Sequence, residues 1–283
     1  MRAMADVLIT EYTDPACPWA YSAEPFRHRL NWLYGDRLEW QVRMVVLSES
    51  TADMEASGFD TAKLSSVYRT IAHDHGMPID TALRPRMAAS LPACRAVVAA
   101  RLHAPASTRA VLRSLRVRNF AGELLDDPQT IAGAALDAGL DAEALAVWAA
   151  GEDVSAAIAE DKALARAPMP AARTLDYKLA NWSGGRRYTC PSYEILRRSD
   201  DVRIAVPGFQ PFTVYDVILA NLVPDLERSA VPGNVEEVLR WAGTPLASKE
   251  VAVLCGLEVW EAREALGRVA TERHVGADGF WSL

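Results

Sequence analysis

Cysteine is scarce in this sequence. Only four occur among 283 residues, and they lie far apart, as Cys17, Cys94, Cys190 and Cys255. Such spacing excludes the disulfide framework of small secreted domains. A reducing compartment, the cytoplasm, is therefore the predicted location.

An excess of basic residues is also missing. The chain has 30 Lys and Arg against 37 Asp and Glu, a net charge of −7, which argues against nucleic acid as the main partner. No apolar run reaches the roughly eighteen residues of a transmembrane helix, so no membrane span is predicted. Residues 1–6 lack the apolar core of a secretory signal.

The most informative stretch is residues 14–21, DPACPWAY. A β-branched run precedes it and helical spacing follows, so Cys17 is predicted at a strand-to-helix turn with Pro18 as the first helical residue. Free backbone N–H groups and the helix dipole favour a thiolate there. Redox sites commonly place a second cysteine three residues later, but here that residue is Ala20. The sequence therefore predicts a monothiol site.

Hydrophobic periodicity divides the chain into four segments. Residues 1–50 are predicted to form a strand, a helix and a strand, whereas residues 51–167 show helix caps and no convincing strand. Residues 168–228 contain a hairpin followed by a helix. Residues 229–283 are predicted to be a separate module of helix, turn, helix and a two-stranded hairpin.

This last module has the outline of a winged helix. A DNA-reading winged helix carries Arg, Lys, Asn or Gln on its second helix, but here that helix bears Glu258, Glu261 and Glu264. Phosphate would be repelled by these carboxylates. The module is therefore predicted to serve packing or protein contact.

Charge is segregated within the helical segment. Residues 81–122 contain eight arginines and no acid, whereas residues 123–161 contain ten acids and no Lys or Arg. An anion-binding face and helices that offset each other's charge are the two interpretations. We favour the second, because charge runs usually form solvated faces.

Three motifs occur in order, at residues 14–19, 189–195 and 206–211. On these motifs the chain resembles the DsbA-like branch of the thioredoxin superfamily, including FrnE-type oxidoreductases. More distantly it is similar to 2-hydroxychromene-2-carboxylate isomerases and kappa-class glutathione transferases. The resemblance spans residues 7–222 and implies an α/β fold, a thioredoxin-like core (βαβ…ββα) interrupted by the large helical insertion. The small C-terminal winged-helix-like domain lies outside it.

The resemblance also implies a site. Cys17 would be the nucleophile, Pro18 and Trp19 would support it, and Pro191 would be the cis-proline beside the sulfur, with Pro207 as its rival. Cys190 then precedes the cis-proline, where the family usually has Thr or Val. It is a small apolar filler, a resolving thiol in place of Ala20, or part of a metal or cluster site; further soft ligands for the last are not evident.

Three other predictions concern side chains around this site. Glu11 has the spacing of a buried acid that assists proton transfer in the DsbA type, but a carboxylate near the domain surface is the favoured interpretation. Trp19 is expected to wall the thiol and contact substrate. Residues 73–75, HDH, are interpreted as a helix end rather than a metal site. Cys94 and Cys255 are expected in the core.

The predicted function is thiol-dependent oxidoreductase activity of the DsbA-like type. Cys17 would attack a small-molecule or protein disulfide, or an electrophile, and glutathione, mycothiol or Cys190 would resolve the adduct. No tightly bound cofactor or metal is predicted, and a homo-oligomer is an open expectation. The alternatives are a thiol-cofactor-assisted isomerase or transferase and a catalytically degenerate binding protein.

Overall fold

The computed structural model describes residues 5–56 and 58–283. The described residues do not include residues 1–4 and 57. The first four belong to the stretch predicted to lack a secretory signal, and residue 57 belongs to the predicted helical insertion. In chain order the strands are β1 (Val7–Thr13), β2 (Leu38–Met44), β3 (Leu179–Trp182), β4 (Gly185–Tyr188), β5 (Ser192–Arg197), β6 (Arg203–Val206), β7 (Leu246–Ala247), β8 (Thr271–Val275) and β9 (Asp278–Ser282).

The helices of the thioredoxin-like part and its insertion are α1 (Pro18–Ser22), α2 (Glu24–Tyr34), α3 (Thr51–Ala56), α4 (Thr61–His75), α5 (Leu91–His103), α6 (Thr108–Phe120), α7 (Pro128–Asp137), α8 (Ala142–Ala149), α9 (Glu152–Ala165), α10 (Pro170–Arg173) and α11 (Phe212–Leu222). Those of the C-terminal segment are α12 (Val235–Ala242), α13 (Ser248–Cys255) and α14 (Val259–Leu266). No helix among the described residues combines the length and apolar character that crossing a bilayer requires.

The central sheet has four strands in the order β2-β1-β5-β6. Strand β1 is parallel to β2 and antiparallel to β5, which is antiparallel to β6. Helices α2 and α11 contribute Leu30 and Leu219 to a core with Val7, Ile9 and Ile195 of the sheet. The predicted thioredoxin-like βαβ…ββα order is confirmed.

The insertion is helical throughout its described part, as predicted. Helix α5 lies at its centre and is rich in buried alanine and valine, because its neighbours α6, α8 and α9 all pack against it. Asp127 and Asp141 cap α7 and α8 by accepting the backbone N–H groups of Gln129 and Ala144.

Two local features differ from the sequence prediction. The helix after Cys17 is not continuous, because it breaks at Ala23 between α1 and α2. A short hairpin of β3 and β4 also precedes the predicted one. Each of its strands has only four residues, too few for an alternating pattern to show.

The C-terminal segment forms its predicted helices and hairpin around its own core. Val238, Val251, Leu266 and Trp281 meet there, and Trp32 of α2 packs against them. Helix α2 also reaches the segment through Arg29, whose Nη1 donates to the carbonyl of Val253 at 3.0 Å. The segment is thus attached to the thioredoxin-like part, and its winged-helix interpretation stays a prediction.

Candidate active site

Cys17 lies at the strand-to-helix turn that the sequence predicts. Its backbone is extended (φ −81°, ψ 112°) and it caps α1, with Pro18 as the first helical residue. The Cys17 N–H donates to the carbonyl of Asp14 at 3.2 Å. This turn aims the N–H groups of the first helical residues at the sulfur.

Asp14 holds this turn in place, a role that sequence reasoning missed. The side chain is fully buried; its Oδ1 accepts the Ala16 N–H at 2.7 Å, and its Oδ2 accepts the Leu47 N–H at 2.7 Å and the Ser90 hydroxyl at 2.8 Å. Burial raises the pKa of Asp14 although these bonds oppose the rise. The usable signal was an acid placed immediately after a buried strand.

The Cys17 thiol is buried within the protein but borders a cavity. Its Sγ donates to the carbonyl oxygen of Cys190 at 3.2 Å. Burial alone would raise the pKa of Cys17, but the Cys190 thiol and the backbone N–H groups of Ala20 and Trp19 outweigh it, so the pKa is lowered. Cys17 therefore forms a thiolate more readily than an ordinary cysteine.

The loop opposite Cys17 contains a cis peptide bond between Cys190 and Pro191. Ser192 accepts the Gly208 N–H at 3.0 Å and donates to the carbonyl of Thr189 at 2.7 Å, which fixes the loop. Burial, and then the neighbouring Cys17 sulfur, raise the pKa of Cys190 well above its usual value. Cys17 and Cys190 are both free thiols, and Cys17 is the more acidic one.

Trp19 stands at the cavity wall with 41% of its surface exposed. Its ring contacts His75 edge-on at 4.9 Å between centroids and Phe209 at 5.7 Å. Residues 73–75 end α4, where Gly76 adopts a φ of 73°, as the helix-end interpretation predicts. Burial lowers the pKa of His75, which favours the neutral form of the imidazole that contacts Trp19 and Phe209.

The cavity beside Cys17 has a volume of about 440 Å³. The reactive turn and the Cys190 loop form one wall, and α3, α4 and the end of α6 form the other. Its lining is mostly apolar and includes Leu47, Met54, Phe59, Leu64, Val67, Tyr68, Leu124 and Leu125. Three arginines also line it, namely Arg84, Arg86 and Arg187. The first two belong to the basic segment 81–122, for which an anion-binding face was the less favoured interpretation, whereas sequence reasoning did not identify Arg187.

The two remaining cysteines differ from each other. Cys94 is in the core, as expected, but its Sγ also donates to Asp14 Oδ2 at 3.4 Å. Burial raises the pKa of Cys94 well above its usual value. Cys255 is only half-buried rather than in the core, because its position is the last residue of α13. Neither lines the cavity.

Glu11 is buried rather than near the surface, which corrects the favoured interpretation. Its oxygens accept Arg109 Nη1 at 2.9 Å and Arg116 Nη2 at 3.0 Å. Burial alone would raise the pKa of Glu11, but these arginines lower it. A carboxylate that is ionised and paired with two arginines holds no proton to transfer. Glu11 therefore has a structural role, which is to pair with Arg109 and Arg116.

Glu11 belongs to a larger set, which we call the ion-pair cluster. Glu24 accepts Arg109 Nη2 at 2.6 Å and also pairs with Arg116, while Glu250 accepts Arg113 Nη1 at 2.6 Å. Three arginines one helical turn apart on α6 thereby bind β1, α2 and α13 together. The members of the ion-pair cluster are Glu11, Glu24, His28, Arg109, Arg113, Arg116 and Glu250.

Glu24, His28 and Glu250 have potential ligand atoms within 4.8 Å of one another, a spacing that a metal ion could use. Arginines already occupy the carboxylate oxygens of both acids, however. The trio is therefore part of the ion-pair cluster.

The segregated charges offset each other only in part, so the favoured interpretation holds for some of the arginines and not for others. Arg101 pairs with Asp161 at 2.7 Å, and Arg118 pairs with Asp137 at 2.9 Å. The three α6 arginines of the ion-pair cluster instead find acids outside residues 123–161. Arg84 and Arg187 have no carboxylate within 4.0 Å among the residues that the structure describes.

Comparisons with known proteins agree with this geometry. The family model of the DSBA-like thioredoxin domain matches residues 8–169, more than half of the chain. A search of curated proteins finds no match.

Solved structures with the same fold are similar at low sequence identity. One is a probable DsbA oxidoreductase from Streptomyces coelicolor, with a TM-score of 0.55 and 18% identity over 80% of this chain and 93% of that one. Another is the cytosolic disulfide reductase DsbM from Pseudomonas aeruginosa, with a TM-score of 0.54 and 18% identity over 76% of this chain and 100% of that one. DsbM has also been solved with GSH; that structure has a TM-score of 0.53 and 19% identity over 76% of this chain and 98% of that one.

Proposed function

The chain belongs to the DSBA-like thioredoxin domain family, and we propose that it is a thiol-disulfide oxidoreductase whose nucleophile is Cys17. One observation carries the proposal: the pKa of a thiol bordering a ligand-sized cavity is lowered despite burial. The cause is local, because the Cys190 thiol and two backbone N–H groups stabilise the anion. The other cysteines have raised pKa values.

The proposed reaction is disulfide reduction in three successive thiol exchanges. The Cys17 thiolate attacks one sulfur of a disulfide, so a bond to Cys17 forms, the original S–S bond breaks, and the other half leaves as a thiolate. A second thiol then attacks the Cys17 sulfur, bonds to it and releases the bound half of the substrate as a thiolate. A third thiol attacks the second one, so that the two form a disulfide and Cys17 leaves as the thiolate again. If glutathione supplies two thiols, they end as one glutathione disulfide while the substrate ends as two thiols.

Either a low-molecular-weight thiol or Cys190 would resolve the mixed disulfide. Cys190 is supported by its position, since its carbonyl accepts the Cys17 thiol. Glutathione, or mycothiol in its place, is supported by analogy with DsbM, which was solved with GSH and is named as cytosolic. We propose the same compartment for this chain, whose cysteines are all free.

The decisive experiment is turnover of a small disulfide with glutathione as the reductant. Cys17→Ser should abolish the activity, whereas Cys255→Ser, which removes a thiol outside the cavity, should leave it within about twofold. Activity that survives Cys17→Ser would contradict the proposal. A protein without turnover, in which Cys17 alkylates no faster than Cys94, would favour the binding-protein alternative.

Resolution is tested separately by mass spectrometry of the protein after it has reacted with a small disulfide, which is the oxidant, without added thiol. A Cys17–Cys190 disulfide, detected as the loss of two hydrogens and a linked peptide pair, would identify Cys190 as the resolving thiol. A stable mixed disulfide on Cys17 would assign resolution to glutathione or mycothiol. Unlinked thiol retained in the cavity would instead favour the isomerase or transferase alternative.

A further inference from the structure

The cavity beside Cys17 is suited in size to a small molecule. Its volume of about 440 Å³ falls within the range of roughly 300–1,000 Å³ that small ligands occupy in proteins. Met54 of α3 and Leu64 and Val67 of α4 contribute apolar side chains to its lining. An apolar body of one or two rings would therefore be buried there.

The charges on the cavity wall are not balanced. Arg86 is paired with Asp126 at 2.7 Å, but Arg84 is not paired with any described carboxylate. Arg84 is 8% exposed and donates to the backbone carbonyls of Glu123, at 3.2 Å, and Asn119. A buried guanidinium without a counter-ion favours an anion beside it.

Arg187 is a second cation of the lining; it is half-buried, and its charge acts on Cys190. It belongs to β4, three residues before Cys190, and its Nη1 donates to the carbonyl of Tyr188 at 2.8 Å. No described carboxylate lies within 4.0 Å of it. Asp53 is the one acid among the described lining residues, and its Oδ2 accepts the Ser50 N–H at 2.9 Å.

We propose that the substrate is a small, largely apolar disulfide carrying a carboxylate, with the carboxylate at Arg187 and a sulfur at Cys17. The inference rests on the proposed function and adds the substrate class. In the first exchange Cys17 bonds to one sulfur, the substrate S–S bond breaks, and the released half leaves as a thiolate.

Two chromogenic disulfides test the proposal on the intact chain. Dithiobis(nitrobenzoate) carries a carboxylate on each ring, whereas dithiodipyridine is aromatic and uncharged at neutral pH. Each releases one coloured thiol when Cys17 is modified, and a second one if Cys190 then displaces the bound half. The Cys17→Ser protein gives the background from the other cysteines. The measurement is the second-order rate constant with each probe.

Arg187→Gln should slow the reaction of Cys17 with dithiobis(nitrobenzoate) about tenfold and change its reaction with dithiodipyridine by less than about twofold. The reason is that only the first probe carries a carboxylate that Arg187 attracts. Arg187→Lys should restore most of the rate. The matched control is Arg186→Gln on the same strand: Arg186 is paired with Asp176 at 2.9 Å and does not line the cavity. That change should leave both rates unaltered.

Equal slowing of both probes by Arg187→Gln would overturn the proposal, since Arg187 would then act on the thiolate rather than on the substrate. No change with either probe would also overturn it. A Cys17 that reacts with both probes no faster than free cysteine would be a different result. It would refute the proposed function itself, and the substrate class with it.

Discussion

Two groups of titratable side chains lie on or near strand β1, and they differ in how their charge is balanced. In the ion-pair cluster, Glu11 and Glu24 share Arg109 and Arg116. Beside the cavity, Asp14 meets only neutral donors, and the cation Arg187 has no described carboxylate within 4.0 Å.

The difference separates structural from chemical roles. A buried charge that meets an opposite charge is held in one state, and removing its partner leaves an uncompensated ion. A buried thiol stabilised only by neutral donors can change its protonation state and react. Burial alone therefore does not distinguish the structural group from the reactive one, whereas the balance of charge does.

The largest expected effect comes from breaking the ion-pair cluster. Arg116→Met would leave Glu11 and Glu24 with only Arg109, and the free energy of unfolding should fall by about 3–5 kcal/mol. Arg118→Met, on the same helix but in partly exposed pairs with Glu123 and Asp137, should cost no more than about 1 kcal/mol. Urea unfolding at neutral pH measures the free energy of unfolding of both variants. Equal losses would contradict the difference between the buried ion-pair cluster and the partly exposed pairs of Arg118.

A pH dependence should come from the same cluster. Burial alone would raise the pKa of Glu250, but Arg113 and His28 lower it from 4.5 to about 2. The carboxylate is then more acidic in the folded state, so its stabilisation is complete above about pH 5 and is lost as the pH falls towards 2. The lowering of the Glu250 pKa on folding corresponds to about 3 kcal/mol of the free energy of unfolding at neutral pH.

Unfolding in urea at pH 7 and at pH 3 measures this effect. From pH 7 to pH 3, the Glu250→Gln protein should lose about 2 kcal/mol less free energy of unfolding than the wild type. The control is Glu236→Gln, at an exposed pair with Arg240, which should keep the wild-type slope. If the Glu250→Gln protein loses as much stability in acid as the wild type, Glu250 does not titrate as described.

The smallest expected effect sharpens the description of the cavity. Cys190→Ala removes the thiol that stabilises the Cys17 anion, so the pKa of Cys17 should rise. The pH profile of Cys17 alkylation by iodoacetamide measures that pKa. Cys255→Ala, a change outside the cavity, should not move the midpoint, and an unmoved midpoint in Cys190→Ala would show that the backbone alone stabilises the thiolate.

Sequence reasoning succeeded where the determinants are local. The β-branched run before Cys17, and Pro18 after it, predicted the turn correctly, and the caps at Asp127 and Asp141 located two helices. It failed where a partner is distant. Nothing near Glu11 indicates the α6 arginines that bury it, since Arg109 lies 98 residues away, and the four-residue strands β3 and β4 were too short to show a pattern.

The sequence by itself determined the strand-to-helix turn at Cys17, the absence of a second cysteine at Ala20, and the thioredoxin-like order of elements, because short-range periodicity and capping encode these features. Only the tertiary structure decided which buried charges are paired. Ion pairing depends on distances of a few ångströms between residues about a hundred positions apart. For the same reason, only the folded structure shows that Arg187 lines the same cavity as Cys17 and has no carboxylate of the described residues within 4.0 Å.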